Sequence, residues 1–421
     1  MKKIVLLVLI TVLATNFIVA QNKKASKSTN KAAFYSGVYQ NFFKEAGYSQ
    51  QAIDQKVAQA YHDIFEGPNK VYFEVGDSMA YVSDLKNHDA RTEGLSYGMM
   101  IAVQLNKKEI FDRIWKWSKK YLQHQDGPRA GYFAWSINPK TMKKNSEGTA
   151  SDGELYFITS LLFASNRWGD NTGIDYYHEA RRILDAMWSK DGTDGIYSII
   201  NIQHKQITFT PEGNNYNFTD PSYQLPAFFE VWALYAKDGH EQFYRDCADT
   251  ARAFLHRACS SPTGLNADQT SFDGKPFARG KMKPAFRYDS WRVPMNIAMD
   301  YNWFGNDRKW QQNYAERIQH FFKSKGINSF DDQFNLDGSK PEWILPAGGF
   351  QKLRHSLGLL ATAATTEMIR KDNFDFVHAL WNAKLQPYSD GYFDPYYDGL
   401  LYLFSLMHLS GKYQLIKPHQ H

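Results

Sequence analysis

Glu93, Asp152 and Asp289 are the residues of this chain whose types and settings best suit bond-breaking chemistry. Each stands at the expected start of an apolar helix among aromatics. Glu93 lies in Arg91-Thr92-Glu93-Gly94-Leu95-Ser96-Tyr97-Gly98-Met99-Met100 and Asp152 in Ser151-Asp152-Gly153-Glu154. Asp289 lies in Tyr288-Asp289-Ser290-Trp291-Arg292-Val293-Pro294. One acidic residue at a helix start merely caps it or complements its dipole. Three in matching settings suggest chemistry, and glycosidic hydrolysis needs two such groups: a protonated carboxyl for the leaving oxygen and an ionised one that activates water or attacks. A helix N-terminus lowers a carboxyl pKa, whereas a general acid needs it raised. For Glu93, burial beside Tyr97 or the charge of Asp152 must therefore outweigh the dipole. Asp152 becomes its natural partner, able also to hold a distorted sugar. Asp289, flanked by Arg287, Tyr288 and Arg292, is suited to be the base.

These residues need helices to bring them together. Helical periodicity predicts segments at 38–61, 93–105, 109–123, 152–167, 175–188, 221–236, 241–259, 290–303, 307–324, 354–370, 374–383 and 396–409. No sustained period-2 alternation appears. Thr92 is placed to cap its helix, and Ser151-x-x-Glu154 reads as a capping box. Helices opening near Glu93, Asp152, Tyr223, Asp289, His355 and Tyr396 alternate with ordinary amphipathic ones. These starts recur every 40 to 70 residues, roughly, as repeated helical hairpins do. Six hairpins in a ring make an all-α (α/α)6 toroid. Its parallel inner helices share one N-terminal face, where distant carboxylates meet.

Composition narrows the setting. Lys2 and Lys3 precede an apolar run ending at Ala20, which reads as a secretory signal over 1–20. Thr11, Thr15 and Asn16 interrupt the run, so a cleaved leader is expected rather than a membrane span. Residues 21–32 read as a basic, Ser- and Asn-containing linker, and 33–421 as one catalytic domain. The formal charge of +5 is dispersed, which argues against nucleic acid. Cys247 and Cys259 share one predicted helix, about 18 Å apart by its rise, too far for a disulfide. Aromatics are 16% of the chain, and many sit in polar loops such as Gly131-Tyr132-Phe133-Ala134-Trp135, where flat faces suit sugar rings. No H-E-x-x-H, P-loop or G-x-S-x-G pattern occurs, and no histidines have metal-ligand spacing, so no metal or organic cofactor is expected. His355, beside Arg354 at a helix start, is a candidate for lining the cleft.

The strings 91–100, Ala-Ser-Asp-Gly-Glu (150–154), Ala-Ser-Asn-Arg-Trp-Gly (164–169), Asp-Pro-Ser-Tyr (220–223) and Tyr-Asp-Ser-Trp-Arg-Val-Pro (288–294) resemble glycoside hydrolase family 8, in the expected order. The resemblance implies an (α/α)6 barrel, inversion at the anomeric carbon and action on β-1,4-linked glucan, xylan or chitosan. It implies Glu93 as general acid, Asp289 as general base and Asp152 as the residue distorting the sugar. Tyr223 would lie near the nucleophilic water, Trp135 would stack on a sugar, and Arg287 would be a cleft residue near the base. Tyr97, one turn beyond Glu93, joins the substrate-binding set. Within the family the chain is most similar to reducing-end xylose-releasing exo-oligoxylanases, implying a hydrolase of xylo-oligosaccharides; with the leader it is expected to be exported, and it is expected to act as a monomer. Those enzymes close the cleft with a Leu-His-Pro loop; the stretch matched to it here is Leu353-Arg354-His355-Ser356, with serine in place of proline. An endo-β-1,4-xylanase with an open cleft is the alternative. A non-catalytic sugar-binding toroid is the reading from another class, though binding alone needs no proton donor. A hydrolase of unsaturated glucuronides would need a strongly basic cleft, and no such cluster is present.

Overall fold

Leu95, Met99, Ala102 and Val103 recur along one helical face, yet the helix they build is buried on every side. From Thr92 to Gln104 only Glu93 is not fully buried. A helix apolar all round belongs inside a protein, not on its surface. The computed structural model describes residues 32–279, 283–346 and 351–418; the 1–20 leader and all of the linker but Ala32 lie outside them.

Among the described residues twelve helices longer than one turn carry the fold. They are α1 (Gln50–Phe65), α2 (Thr92–Gln104), α3 (Lys108–Tyr121), α4 (Ser151–Trp168), α5 (Tyr176–Trp188) and α6 (Pro226–Tyr235). The rest are α7 (Glu241–Ala258), α8 (Arg292–Trp303), α9 (Arg308–Lys325), α10 (Leu357–Ala364), α11 (Asp375–Asn382) and α12 (Tyr397–Leu409). The even-numbered helices form the inner ring. Each packs on the next, and α12 closes back on α2. Each odd-numbered helix covers one inner neighbour, with α1 on α12. This double ring is the (α/α)6 toroid. Its middle is filled by edge-to-face aromatics from several inner helices, with Tyr97 4.6 Å from Tyr156 and 5.2 Å from Phe404. Such pairs add to the burial that holds the ring together.

Two glycines allow the inner helices to approach. A Cβ on Gly153 would lie 2.4 Å from Cβ of Thr92, and one on Gly94 would lie 2.3 Å from the Tyr396 ring. Cys247 and Cys259 are buried and unpaired with each other. No helix of the described residues is long and apolar enough to cross a membrane.

Several local expectations need correction. The span expected as one helix, 38–61, is instead the single turn Phe42–Glu45 and the larger part of α1, after an earlier turn at Ala33–Ser36. Gly47, at φ 98°, ends the second turn, and the Ser49 side chain accepts from the amide of Ala52 to start α1. Thr92 is not a cap: Arg91 holds that position, and the Thr92 amide is taken by the Trp135 carbonyl at 2.9 Å. Ser151-x-x-Glu154 forms no capping box, because Ser151 already lies inside α4 and Glu154 accepts from the Phe133 amide at 3.0 Å. Short strands also occur. Ala90–Arg91, Ser136–Asn138 and Lys143–Ser146 make a three-stranded antiparallel sheet at the ring's mouth. Strands of two to four residues are too short to show alternation.

Candidate active site

Arg292 organises the inner face of the toroid. Its Nη1 donates to Glu93 Oε2 at 3.1 Å, Tyr97 Oη at 2.9 Å and Asp152 Oδ2 at 3.1 Å. Its Nη2 donates to Asp289 Oδ1 at 2.9 Å. The starts of α2, α4 and α8 thus converge on one buried guanidinium. Asp152 also accepts from the Gly153 amide at 3.0 Å, and Tyr396 Oη donates to Glu93 Oε1 at 3.0 Å.

One cation cannot balance two buried carboxylates with a third, partly open one beside them, so the cluster favours keeping a proton. Burial pushes Glu93 up to about 7; Arg292 opposes this, while Asp152 and Asp289 reinforce it. Burial also raises Asp152, against the pull of Arg292. The conflict between dipole and acid is therefore resolved by burial and by neighbouring charge. Side-chain exposure separates the roles further: 37% for Asp289, against 16% for Glu93 and 8% for Asp152. The most open carboxylate can meet water; the shielded one can keep a proton.

A cavity of about 440 Å³ opens over the cluster, lined by Glu93, Asp152, Asp289, Tyr223 and Trp135 among others. Trp135 is fixed at both backbone ends, its carbonyl by the Thr92 amide and its amide by the Gly148 carbonyl. The Arg91 guanidinium lies 5.6 Å from its ring centroid. Tyr223 ends the short turn Pro221–Tyr223, capped by Asp220, whose Oδ1 accepts from the Ser222 amide at 2.7 Å. Tyr97 lies behind the carboxylates, holding Arg292 in place. Tyr288, immediately before the base, has φ 39°, a left-handed conformation uncommon for a bulky residue. Its hydroxyl donates to the Leu345 carbonyl at 3.0 Å, and Gln333 brackets the same backbone through its side-chain amide.

Three sequence candidates are not brought to this cavity: Tyr97, expected to bind substrate, is instead buried behind the carboxylates, and Arg287 and His355 lie elsewhere. Arg287 is buried beneath the turn that carries Asp289, donating to Asp268 Oδ2 at 2.8 Å and the Lys283 carbonyl at 2.8 Å. Its role is to anchor the approach to the base. His355 donates through Nδ1 to the Phe330 carbonyl at 2.9 Å and lines a separate cavity of about 310 Å³ with Leu357 and Leu385. Ser356 caps α10 and donates to Asp398 Oδ1, so His355 stands at a helix entrance. Burial lowers the pKa of His355.

Arg292, Tyr396 and Glu154 are the site residues that motif spacing left unassigned. Arg292 sits three residues after Asp289, the spacing of a same-face ion pair, and that signal could have found it. Glu154 carries no such signal. It is fully buried beside Asp152, and burial raises it to about 8. Its neutral carboxyl holds the Phe133 amide and with it the segment that carries Trp135 into the strand Ser136–Asn138. Since its pKa is raised on folding, the stability it contributes is complete below the ordinary carboxyl range and is lost as pH rises through about 8. Glu154→Gln should therefore keep the fold at neutral pH and flatten the stability–pH curve between those limits. Glu154→Ala should cost about 1–3 kcal/mol by leaving the Phe133 amide unbonded. Thermal melts across that pH range check both; a steep curve surviving in Glu154→Gln contradicts this reading.

An all-helical ring with a general acid, an open carboxylate and aromatic walls at one face defines a glycoside hydrolase. The family model for glycosyl hydrolases family 8 matches residues 79–408, and the chain belongs to that family. It is 38% identical over 403 residues to the reducing end xylose-releasing exo-oligoxylanase of Halalkalibacterium halodurans, covering 93% of this chain and 98% of that one. It also superposes on Rex8A of Paenibacillus barcinonensis complexed with xylose, with TM-score 0.82, 36% identity, and 92% and 100% of the two chains covered. A mutant of Rex8A complexed with an α-L-arabinofuranosyl-xylotetraose gives TM-score 0.83 at 35% identity, covering 93% of this chain and 100% of that one.

Proposed function

We propose that this chain hydrolyses β-1,4-linked xylo-oligosaccharides, releasing xylose from the reducing end with inversion. The gathering of Glu93, Asp152 and Asp289 on Arg292 beneath the cavity carries this reading. Glu93 protonates the departing oxygen while Asp289 takes a proton from the attacking water. Glu93 and Asp289 bind different terminal nitrogens of Arg292, an arrangement that spreads them and leaves room for that water. Asp152 holds the sugar between them, Tyr223 faces the water and Trp135 offers a stacking surface. The similarity to exo-oligoxylanases supports the choice of substrate, and the arabinose-branched ligand of Rex8A supports tolerance of side branches.

His355, which lines a cavity separate from that over the carboxylates, favours the alternative of an endo-β-1,4-xylanase. Product chromatography separates the two. Xylotriose is expected to give xylose and xylobiose while polymeric xylan is barely touched; rapid loss of xylan viscosity would establish the endo reading. Export is proposed from the basic-then-apolar character of 1–20. The secreted protein's first residue should then be Gln21, and retention of Met1 would count against it.

A further inference from the structure

Two arginines line the cavity, and they differ in how their charge is met. Arg91 is matched by Asp84 and Asp89. Arg279 meets no carboxylate among the described residues and is exposed. It is nonetheless held in place, its guanidinium 5.3 Å from the centroid of Phe209. Phe209 belongs to a ladder of near-parallel rings. Phe277 stacks on Phe218 at 4.5 Å, Phe218 on Phe209 at 5.0 Å, and Phe209 on Tyr223 at 6.0 Å. The ladder runs from the solvent edge, where Phe277 is 36% exposed, to the buried Tyr223 beside the carboxylates. Glu212, on the same wall, is already committed to Arg129, whose Nε and Nη2 donate to it at 2.9 and 2.7 Å.

A guanidinium fixed by a ring face keeps its full charge and its fork of donors for a ligand. A neutral sugar offers it ordinary hydrogen bonds; a carboxylate offers a charge-assisted, bidentate pair. An acid carried in the main chain over Glu93, Asp152 and Asp289 would be repelled, whereas an acid on a branch can reach the wall. We infer that Arg279 binds the carboxylate of a uronic acid branch, so that acidic-branched xylo-oligosaccharides are preferred over neutral ones. This rests on the xylo-oligosaccharide reading above.

Affinity is best measured by calorimetry in the Glu93→Gln background, with xylotetraose bearing a glucuronate branch and the same compound with that carboxyl reduced to the alcohol. The acidic form is expected to bind about fivefold more tightly, an advantage that shrinks between about 0.05 and about 0.5 M salt. Adding Arg279→Gln should bring the ratio to about one, and Arg279→Lys should retain part of it because the charge remains without the fork. Equal affinities for the two branched forms, or a ratio unmoved by Arg279→Gln, overturns the assignment. Linear xylotetraose given to the unmodified enzyme tests the hydrolase reading separately: failure there leaves the binding ratio still decisive for Arg279.

Discussion

Glu93→Gln should lower kcat/KM on xylotriose by about 10³-fold, within the range that a general acid contributes. The substitution leaves one carbonyl oxygen to accept from Arg292, and its amide nitrogen can donate to the Tyr396 hydroxyl once that hydroxyl turns round, so the fold and the cluster geometry are largely preserved. What disappears is a proton that burial and two neighbouring carboxylates keep in place up to about pH 7. The loss should depend on the leaving group. A xylose leaving group needs protonation; an aryl group of low pKa does not, so aryl xylosides should suffer far less. Asp289→Asn should impair both kinds alike, because water must be activated whatever departs. The pH profile offers a second reading. Because Glu93 acts in its protonated form, kcat/KM should fall as pH rises through about 7, and that limb should vanish in Glu93→Gln. Steady-state kinetics on both substrate types across pH measure all of this. Equal losses for the two variants on both substrates would contradict the division of roles.

Arg292→Leu is expected to be the most damaging single change. It removes the donor shared by Glu93, Asp152 and Asp289 and leaves three carboxylates together without a cation. Removing one partner of a buried ionic cluster costs about 3–5 kcal/mol. Activity should fall by more than about 10³-fold, since acid, base and sugar-holding residue all lose their alignment. The sign of the pH effect is definite. Arg292 holds the pKa values of Glu93 and Asp152 down, so without it both rise further. The native state then binds protons that the unfolded state releases, and the stability deficit should be smaller at about pH 5 than at about pH 8. Denaturant unfolding at the two pH values checks this. A deficit that is the same at both would mean that Arg292 acts by packing alone.

The ring was legible because its helices are long and strongly periodic: each of the twelve overlaps a predicted segment and Asp394-Pro395 marks one entrance, although the segment expected at 221–236 is broken, Asp220-Pro221 opening only the short turn before α6. The three carboxylates were legible for the same reason, each opening an apolar helix. What sequence could not provide was direction. Arg287 and Arg292 flank the same aspartate, yet the left-handed turn at Tyr288 buries one against Asp268 and aims the other into the cluster. His355 stands at a helix entrance like the others, but its Nδ1 is satisfied by a backbone carbonyl of Phe330 on the far side. Thr92 had the composition of a cap, but the Trp135 carbonyl already takes its amide, and Glu154, half of the expected box with Ser151, is instead bonded to the Phe133 amide. Long-range backbone bonds of this kind leave no trace in local spacing.

The central claim is a single displacement by water between Glu93 and Asp289, and the anomer first formed reports on it most directly. Proton NMR during the first minutes of xylotriose hydrolysis should show the α-anomer at the newly created reducing end, decaying afterwards to the equilibrium mixture. A β-anomer appearing first would mean a covalent intermediate and retention, and would contradict the roles assigned to these two carboxylates.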